Sequence, residues 1–180
     1  MRIVAGKYRG KKLWAPTGKS VRPTSERARE AIFNILYSKI GGNYVSLKLA
    51  DIYAGTGAFG FEALSRGFNG VCFVDIDTTA VQKNAKLFGE EKDRIKILTA
   101  DATRLPPTLQ KFDLIFMDAP YASGLTEKTL SQVLQQKWLA ENGICIIEIR
   151  KDEEVVVPDG FEIIDERIYG PAKVIFLKLK

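Results

Sequence analysis

From residue 47 onward, short apolar segments alternate with segments of helical periodicity, and this alternation limits the folds open to the chain. Strands are predicted near 47–53, 71–75, 95–99, 113–118 and 144–149, and helices near 58–66, 78–88 and 126–139. Such alternation is typical of an α/β fold with a doubly wound, mostly parallel sheet. After Pro158, two strands follow each other without a helix, which predicts an antiparallel terminal hairpin.

The first 30 residues carry an excess of positive charge. They contain nine lysines and arginines against two glutamates, a local balance of +7 in a chain whose net charge is +5. A basic segment on a nearly neutral body is typical of a surface that binds a polyanion, because each Lys or Arg on a phosphate releases counterions. A merely solvated basic face is the alternative. Two short strands around a glycine-flanked turn predict a small basic β-hairpin here.

A helix is predicted after this hairpin. Pro23 and a cap at Thr24 or Ser25 begin it. Its apolar stripe, which packs on the body, consists of Ala28, Ala31, Ile32, Ile35 and Leu36. The length of 180 residues fits one domain, 1–180, in which residues 1–24 form the basic arm.

The residues that the chain lacks restrict its chemistry. There is no histidine, which excludes Ser-His-Asp and Cys-His catalysis. Cys72 and Cys145 lie in apolar, strand-like runs, so we expect buried thiols, no disulfide and no metal site. No apolar run is long enough for a membrane span or a signal peptide, and a cytoplasmic location is expected.

Aspartates stand at the ends of four successive predicted strands: Asp51, Asp75, Asp101 and Asp118. In a doubly wound sheet, ligands bind beyond the carboxyl ends of the strands. A cap or a turn would explain any one of these residues. Because an unpaired carboxylate at that edge is useful only to a ligand, the four together predict a binding site.

The first strand leads into Gly55, Gly57 and Gly60, which match the dinucleotide fingerprint, and Asp75 follows 20 residues after Gly55, where an acid can bind ribose hydroxyls. Two functions fit so far: a nicotinamide dehydrogenase and an S-adenosylmethionine (SAM) methyltransferase. Asp51 would repel a pyrophosphate but would suit the ammonium and sulfonium of SAM, which favours the methyltransferase.

The segment Asp118-Ala119-Pro120-Tyr121 offers chemistry suited to an exocyclic amine of a base. Such an amine is a poor nucleophile, and two hydrogen-bond acceptors can orient it: the Asp118 carboxylate and the Ala119 carbonyl. Pro120 holds Ala119 extended and so directs its carbonyl. The ring of Tyr121 can stack on the base. Placement and electrostatics can then supply most of the acceleration without a histidine.

The stretches "RIVAGKYRGKKL", "RPTSERAREAIFNIL", "DIYAGTGAFGFEALSRG", "FVDID" and "DAPY" together resemble the bacterial RsmD family of 16S ribosomal RNA guanine-N2 methyltransferases, along nearly the whole chain. The resemblance implies a class I methyltransferase fold with strand order 3-2-1-4-5-7-6, and SAM as methyl donor. It also implies guanine 966 of 16S ribosomal RNA as the target, within an assembled or nearly assembled small subunit. We expect a monomer with no membrane partner.

The resemblance also assigns roles by position. Asp51, Gly55, Gly57 and Gly60 would hold the methionine and sulfonium part of SAM, Asp75 the ribose, and Asp101 with Ala102 the adenine; Asp118, Ala119, Pro120 and Tyr121 would hold the guanine amine, and Lys7, Arg9, Lys11, Lys12, Arg22 and Thr24 would bind RNA. Ala119 departs from the family, which usually has proline there. The change restores an amide N–H and some backbone freedom, and we expect activity to be retained.

Two alternatives stay open. A related methyltransferase acting on a DNA adenine or a glutamine amide could use the same motif, because it holds any planar amine. A catalytically silent RNA-binding or ribosome-assembly protein could keep the fold without the reaction.

Overall fold

The computed structural model describes residues 1–16, 26–121 and 123–180. The helices are α1 (Glu26–Lys39), α2 (Ala58–Ser65), α3 (Thr79–Ala85) and α4 (Leu125–Gln135), with 3-10 helices at Lys86–Arg94 and Ala102–Arg104. The strands are β1 (Lys48–Ile52), β2 (Gly70–Asp75), β3 (Ile95–Thr99), β4 (Phe112–Met117), β5 (Leu139–Arg150), β6 (Phe161–Tyr169) and β7 (Ala172–Leu179).

The seven strands form one sheet in the order β3-β2-β1-β4-β5-β7-β6. The pairs among β1 to β5 are parallel, whereas β7 is antiparallel to both β5 and β6. This confirms the mostly parallel sheet, the terminal hairpin and the strand order that the resemblance implies. The order reverses between β1 and β4, so the switch point of the sheet lies between these two strands.

Two apolar cores cover the two faces of the sheet. Ile32 of α1, Phe61 of α2 and Val81 of α3 pack in one core, and Leu130 and Val133 of α4 pack in the other. The central strands are buried on both faces, which explains why β1, β2 and β4 are nearly continuous apolar runs. The fold therefore exposes the strand ends, and polar residues there can reach a ligand.

The third predicted helix, near 78–88, ends earlier than its periodicity indicated. α3 stops at Ala85, and a 3-10 segment follows in which Phe88 has φ −118° and ψ 38°. Phe88 is buried and stacks on Phe61 of α2, with ring centroids 4.4 Å apart. Burial of this ring against α2 thus interrupts the helix, a tertiary effect that local sequence does not display.

The N-terminal hairpin is present but short, with one antiparallel bridge between Arg2 and Lys12. Three other backbone N–H groups of the segment bond to α2: Val4 N and Ala5 N donate to Glu62, and Lys7 N donates to the Ser65 carbonyl. A Cβ on Gly6 would lie 1.9 Å from the same Ser65 oxygen. Residues 1–13 are therefore packed against α2, and their deletion would expose part of the core.

Among the described residues, no helix is long and apolar enough to cross a bilayer. Cys72 and Cys145 are buried and free, as the sequence predicts. Burial raises the pKa of the Cys72 thiol to about 11.

Candidate active site at the carboxyl ends of the strands

A cavity of about 410 Å³ opens where the parallel strands end. It is lined by Tyr53, Asp75, Ile76, Ala100, Asp101, Ala102, Asp118, Pro120 and Leu125. The volume suits a ligand the size of a nucleoside cofactor. The cavity brings together five of the residues predicted from sequence: Asp75, Asp101, Ala102, Asp118 and Pro120.

The carboxylate of Asp75 holds the loop after β1. Gly55 N donates to Asp75 Oδ2 at 2.8 Å, and Asp77 N donates to Oδ1 at 3.0 Å. Gly55 has φ 54°, and no atom beyond its chain neighbours lies closer than 4.0 Å to the position of a Cβ, so its backbone faces open space. The loop is thereby fixed with bare backbone facing outward, as close approach of a ligand requires.

Gly57 and Gly60 are required for packing. A Cβ on Gly60 would lie 2.3 Å from Phe73 Cε1, and one on Gly57 would lie 2.6 Å from Phe61 Cε2. Gly60 N also donates to Asp51 Oδ2 at 2.9 Å. Gly60 lets α2 lie close to β2, and Gly57 leaves room for Phe61 of α2 and Val81 of α3, so both glycines have a structural cause.

Asp51 lies beneath the loop and outside the cavity lining. It is 2% exposed, and burial raises its pKa to about 8, with the charge of Asp75 adding to the effect. Burial therefore favours the protonated form of this carboxyl. The repulsion of a pyrophosphate by Asp51 is weaker than the sequence argument assumed, and the choice of SAM over a dinucleotide depends on other residues.

Asp101 caps the short helix Ala102–Arg104. Its Oδ1 accepts from Thr103 N at 2.8 Å and from Thr103 Oγ1 at 2.7 Å, and these bonds lower its pKa. Three of the four strand-end aspartates thus accept backbone N–H groups, so the premise that they are unpaired is wrong for Asp51, Asp75 and Asp101. Asp75 and Asp101 still line the cavity.

Asp118 follows β4 and is half-buried. Burial raises its pKa well above the usual range, and the nearby charges of Glu148 and Asp51 raise it further. A carboxyl in such surroundings accepts a proton more readily than a solvated one. Ala119 is buried and Tyr121 is half-buried, and neither lines the cavity, whereas the exposed Pro120 does.

Sequence reasoning missed four residues of the lining: Tyr53, Ile76, Ala100 and Leu125. Tyr53 has φ 63°, unusual for a residue with a side chain, and its hydroxyl lies 2.7 Å from Thr129 Oγ1 of α4. Ile76 is 74% exposed directly after Asp75. Tyr53 and Ile76 could have been predicted from their positions immediately after β1 and β2, because residues at the ends of the strands border the site.

The basic side chains of the N-terminal segment fall into two groups. Lys7 Nζ pairs with Glu90 and Glu91 at 2.8 and 3.0 Å, and Lys11 lies 4.7 Å over the ring of Tyr8. The exposed Arg9 and Lys12 have no ion pair with any described residue. Arg22 and Thr24 lie outside the described residues.

The model of the family described as "Conserved hypothetical protein 95" matches residues 1–178. The Ribosomal RNA small subunit methyltransferase D of Haemophilus influenzae is 32% identical over 176 residues, covering 94% of this chain and 89% of that protein. The protein of the same name from Escherichia coli is 30% identical over 173 residues, covering 94% and 85%.

Solved structures agree with these relatives. The Escherichia coli protein yhhF, provisionally described as a methyltransferase, superposes with a TM-score of 0.84 at 28% identity, covering 100% of this chain and 98% of that one. The methylase HI0767 from Haemophilus influenzae, also described provisionally, gives 0.80 at 27% identity, covering 99% and 98%. Together with the strand order, these matches show that the chain belongs to the RsmD family and has its class I methyltransferase fold.

Proposed function

We propose that this protein transfers a methyl group from SAM to the exocyclic N2 amine of a guanine in small-subunit ribosomal RNA. The observation that carries the proposal is that Asp118, the first residue of the amine-binding motif, borders the same cavity as Asp75 and Asp101. The reacting amine and the methyl donor must be in contact, and Asp118 lies where the proposed amine site would adjoin the cofactor cavity. The names of the Haemophilus influenzae and Escherichia coli relatives support small-subunit ribosomal RNA as the substrate, and the family resemblance supports guanine 966.

The cavity fits SAM by its volume and by its mixed lining. Asp75 would bind the ribose, Asp101 and Ala102 would border the adenine, and the loop from Gly55 to Gly57 would lie along the methionine part. When bound, SAM supplies a methyl group from its sulfonium. The sulfur that loses the methyl group becomes the neutral thioether of S-adenosylhomocysteine. No metal is proposed, and the described residues contain no group of three or more acids or cysteines placed to hold one.

Asp118 and Ala119 would act on the amine. The Asp118 carboxylate and the Ala119 carbonyl would accept hydrogen bonds from the two amine hydrogens, which orients the nitrogen toward the methyl group. The amine becomes cationic as the N–C bond forms, and Asp118 would take its proton. The raised pKa of Asp118 makes that transfer more favourable. Tyr121 would stack on the base.

Mass spectrometry of ribosomal RNA nucleosides from cells with and without the gene tests the proposal directly. Loss of one N2-methylguanosine from 16S RNA in the deletion strain is the expected result. If N6-methyladenine in DNA or methylglutamine in protein is lost instead, the proposed ribosomal RNA substrate is wrong. Unchanged RNA together with SAM binding in the purified protein would favour a silent RNA-binding protein.

Asp75→Asn should weaken binding of S-adenosylhomocysteine, the demethylated product, by about tenfold or more, because it loses a charged acceptor for a ribose hydroxyl. Isothermal titration calorimetry measures the affinity, and the melting temperature without ligand reports the loss of the Gly55 contact. Asp93→Asn, an exposed acid in the 3-10 segment after α3, is the matched control. Equal affinity in both variants would contradict the ribose assignment. NADH should not compete.

Replacing both Arg9 and Lys12 by glutamine should reduce the salt dependence of small-subunit binding, lowering the slope of log K against log salt by about 1.5. These exposed cations are available to phosphates, whereas Lys7 already pairs with two glutamates. Filter binding at several salt concentrations gives the slope, and affinity for S-adenosylhomocysteine should not change. Lys111→Gln, which changes an exposed cation just before β4, serves as control. The same slope for all three proteins would mean that the basic segment is only solvated.

A further inference from the structure

Glu148 of β5 lies beside Asp118 of the amine-binding motif. The last registered pair of β4 and β5 is Met117 with Ile147, so Asp118 and Glu148 occupy the next position on each chain. Phe116 and Ile146, two residues earlier on each chain, are also paired and share one core. Because side chains alternate along a strand, Asp118 and Glu148 project on that same side of the sheet.

Glu148 is buried and electrostatically close to Asp118. It is 4% exposed, and its charge is second only to burial among the causes that raise the pKa of Asp118. Burying a second carboxyl next to the first is costly unless hydrogen-bond donors pair with both.

The strand order places Glu148 on the side of Asp118 that faces away from the cavity. Asp75, Asp101 and Tyr53, which follow β2, β3 and β1, border the cavity, and β5 lies on the opposite flank of β4. The accepting amine has to approach the methyl group from the side opposite the departing sulfur. In the proposed reaction the target base would therefore lie on the Glu148 side of Asp118.

The chemistry of guanine matches two adjacent carboxyl groups. The N2 amine and N1–H of guanine are neighbouring donors on one edge of the base, whereas adenine and 2-aminopurine present an acceptor at N1. An ionised carboxylate accepts hydrogen bonds but cannot donate them. A site that pairs with a substrate N–H strongly rejects an analogue that lacks it, because the buried acceptor is then left unpaired.

We propose that Glu148 accepts the N1–H of the target guanine while Asp118 accepts the N2 amine, so that Glu148 selects guanine over bases with an acceptor at N1. This inference rests on the proposed function, since it assigns a contact within the same site. Asp118 then acts on the reacting nitrogen, and Glu148 recognises the base.

The test compares guanine with 2-aminopurine, which keeps the 2-amino group but has an acceptor at N1. Reconstituted small subunits carry either base at the position that the enzyme methylates, and single-turnover rates give a guanine to 2-aminopurine ratio. In Glu148→Gln the amide can donate to an N1 acceptor. We expect the substitution to lower the ratio by about tenfold or more, with a slower reaction on guanine and an unchanged or faster one on 2-aminopurine.

The ratio separates recognition from damage to the fold, because a partly unfolded variant loses activity on both substrates equally. Asp113→Asn removes a carboxylate at the opposite end of β4, where Asp113 accepts from Lys48 N, and it should keep the wild-type ratio. A wild-type ratio in Glu148→Gln would overturn the inference and leave the proposed function intact. A wild-type protein that methylates no small-subunit guanine would overturn both.

Discussion

Asp118→Ala should lower the single-turnover rate of methyl transfer by on the order of a thousandfold while binding of S-adenosylhomocysteine persists. The side chain is assigned to the amine and to the proton that it releases, and both functions are lost with the carboxylate. The proposed cofactor contacts of Asp75 and Asp101, which line the cavity, do not involve this side chain. Rapid-quench assays with unmodified small subunits measure the rate, and calorimetry measures the affinity.

Asp113→Asn is the control for this experiment, because it changes another carboxylate that flanks β4 and lies away from the cavity. Ala119→Pro, which restores the usual proline of the family, should give an equal or higher rate, because it stiffens backbone already restricted by Pro120. An Asp118→Ala enzyme with an undiminished rate would exclude the proposed role of this carboxylate.

Glu62→Gln should lower the free energy of unfolding by about 3 to 5 kcal/mol, because it leaves buried cations without their counter-charge. Glu62 is fully buried, with Oε1 2.8 Å from Arg66 Nε and Oε2 3.4 Å from Arg29 Nε. Its oxygens also accept from Val4 N and Ala5 N. Urea unfolding measures the change, and proteolysis should cut the N-terminal segment faster in the variant.

Glu26→Gln provides a matched control at the surface. Glu26 pairs with Arg2 at 3.0 Å, but both side chains are substantially exposed, so its loss should cost no more than about 1 kcal/mol. Equal effects of the two substitutions would mean that Glu62 does not anchor the N-terminal segment through buried charge.

Helix α1 shows which features of the fold could be predicted from the sequence and which could not. The apolar stripe of α1 was predictable, and Ala28, Ile32 and Leu36 are buried as expected. Arg29 in the same helix is also buried, which helical spacing alone does not indicate. Its position depends on Glu62, a residue 33 positions away whose carboxylate compensates the charge.

Local sequence by itself determined the elements and their order. Apolar runs bounded by polar residues have one favourable solution, a sheet buried on both faces, and strand ends in such a sheet meet at one edge whatever the details of packing. The placement of Asp75, Asp101 and Asp118 around one cavity followed from that rule.

Only the tertiary structure decided which of the predicted site residues border the cavity and which pack behind its lining. Asp51 and Gly60 belong to the glycine motif, yet they hold α2 against the sheet, whereas Tyr53 and Ile76 line the cavity without belonging to any predicted set. Burial and hydrogen bonding depend on neighbours distant in sequence. The proximity of Asp118 to Glu148, just beyond the last registered pair of β4 and β5, is therefore a property of the folded sheet, and no spacing along the chain specifies it.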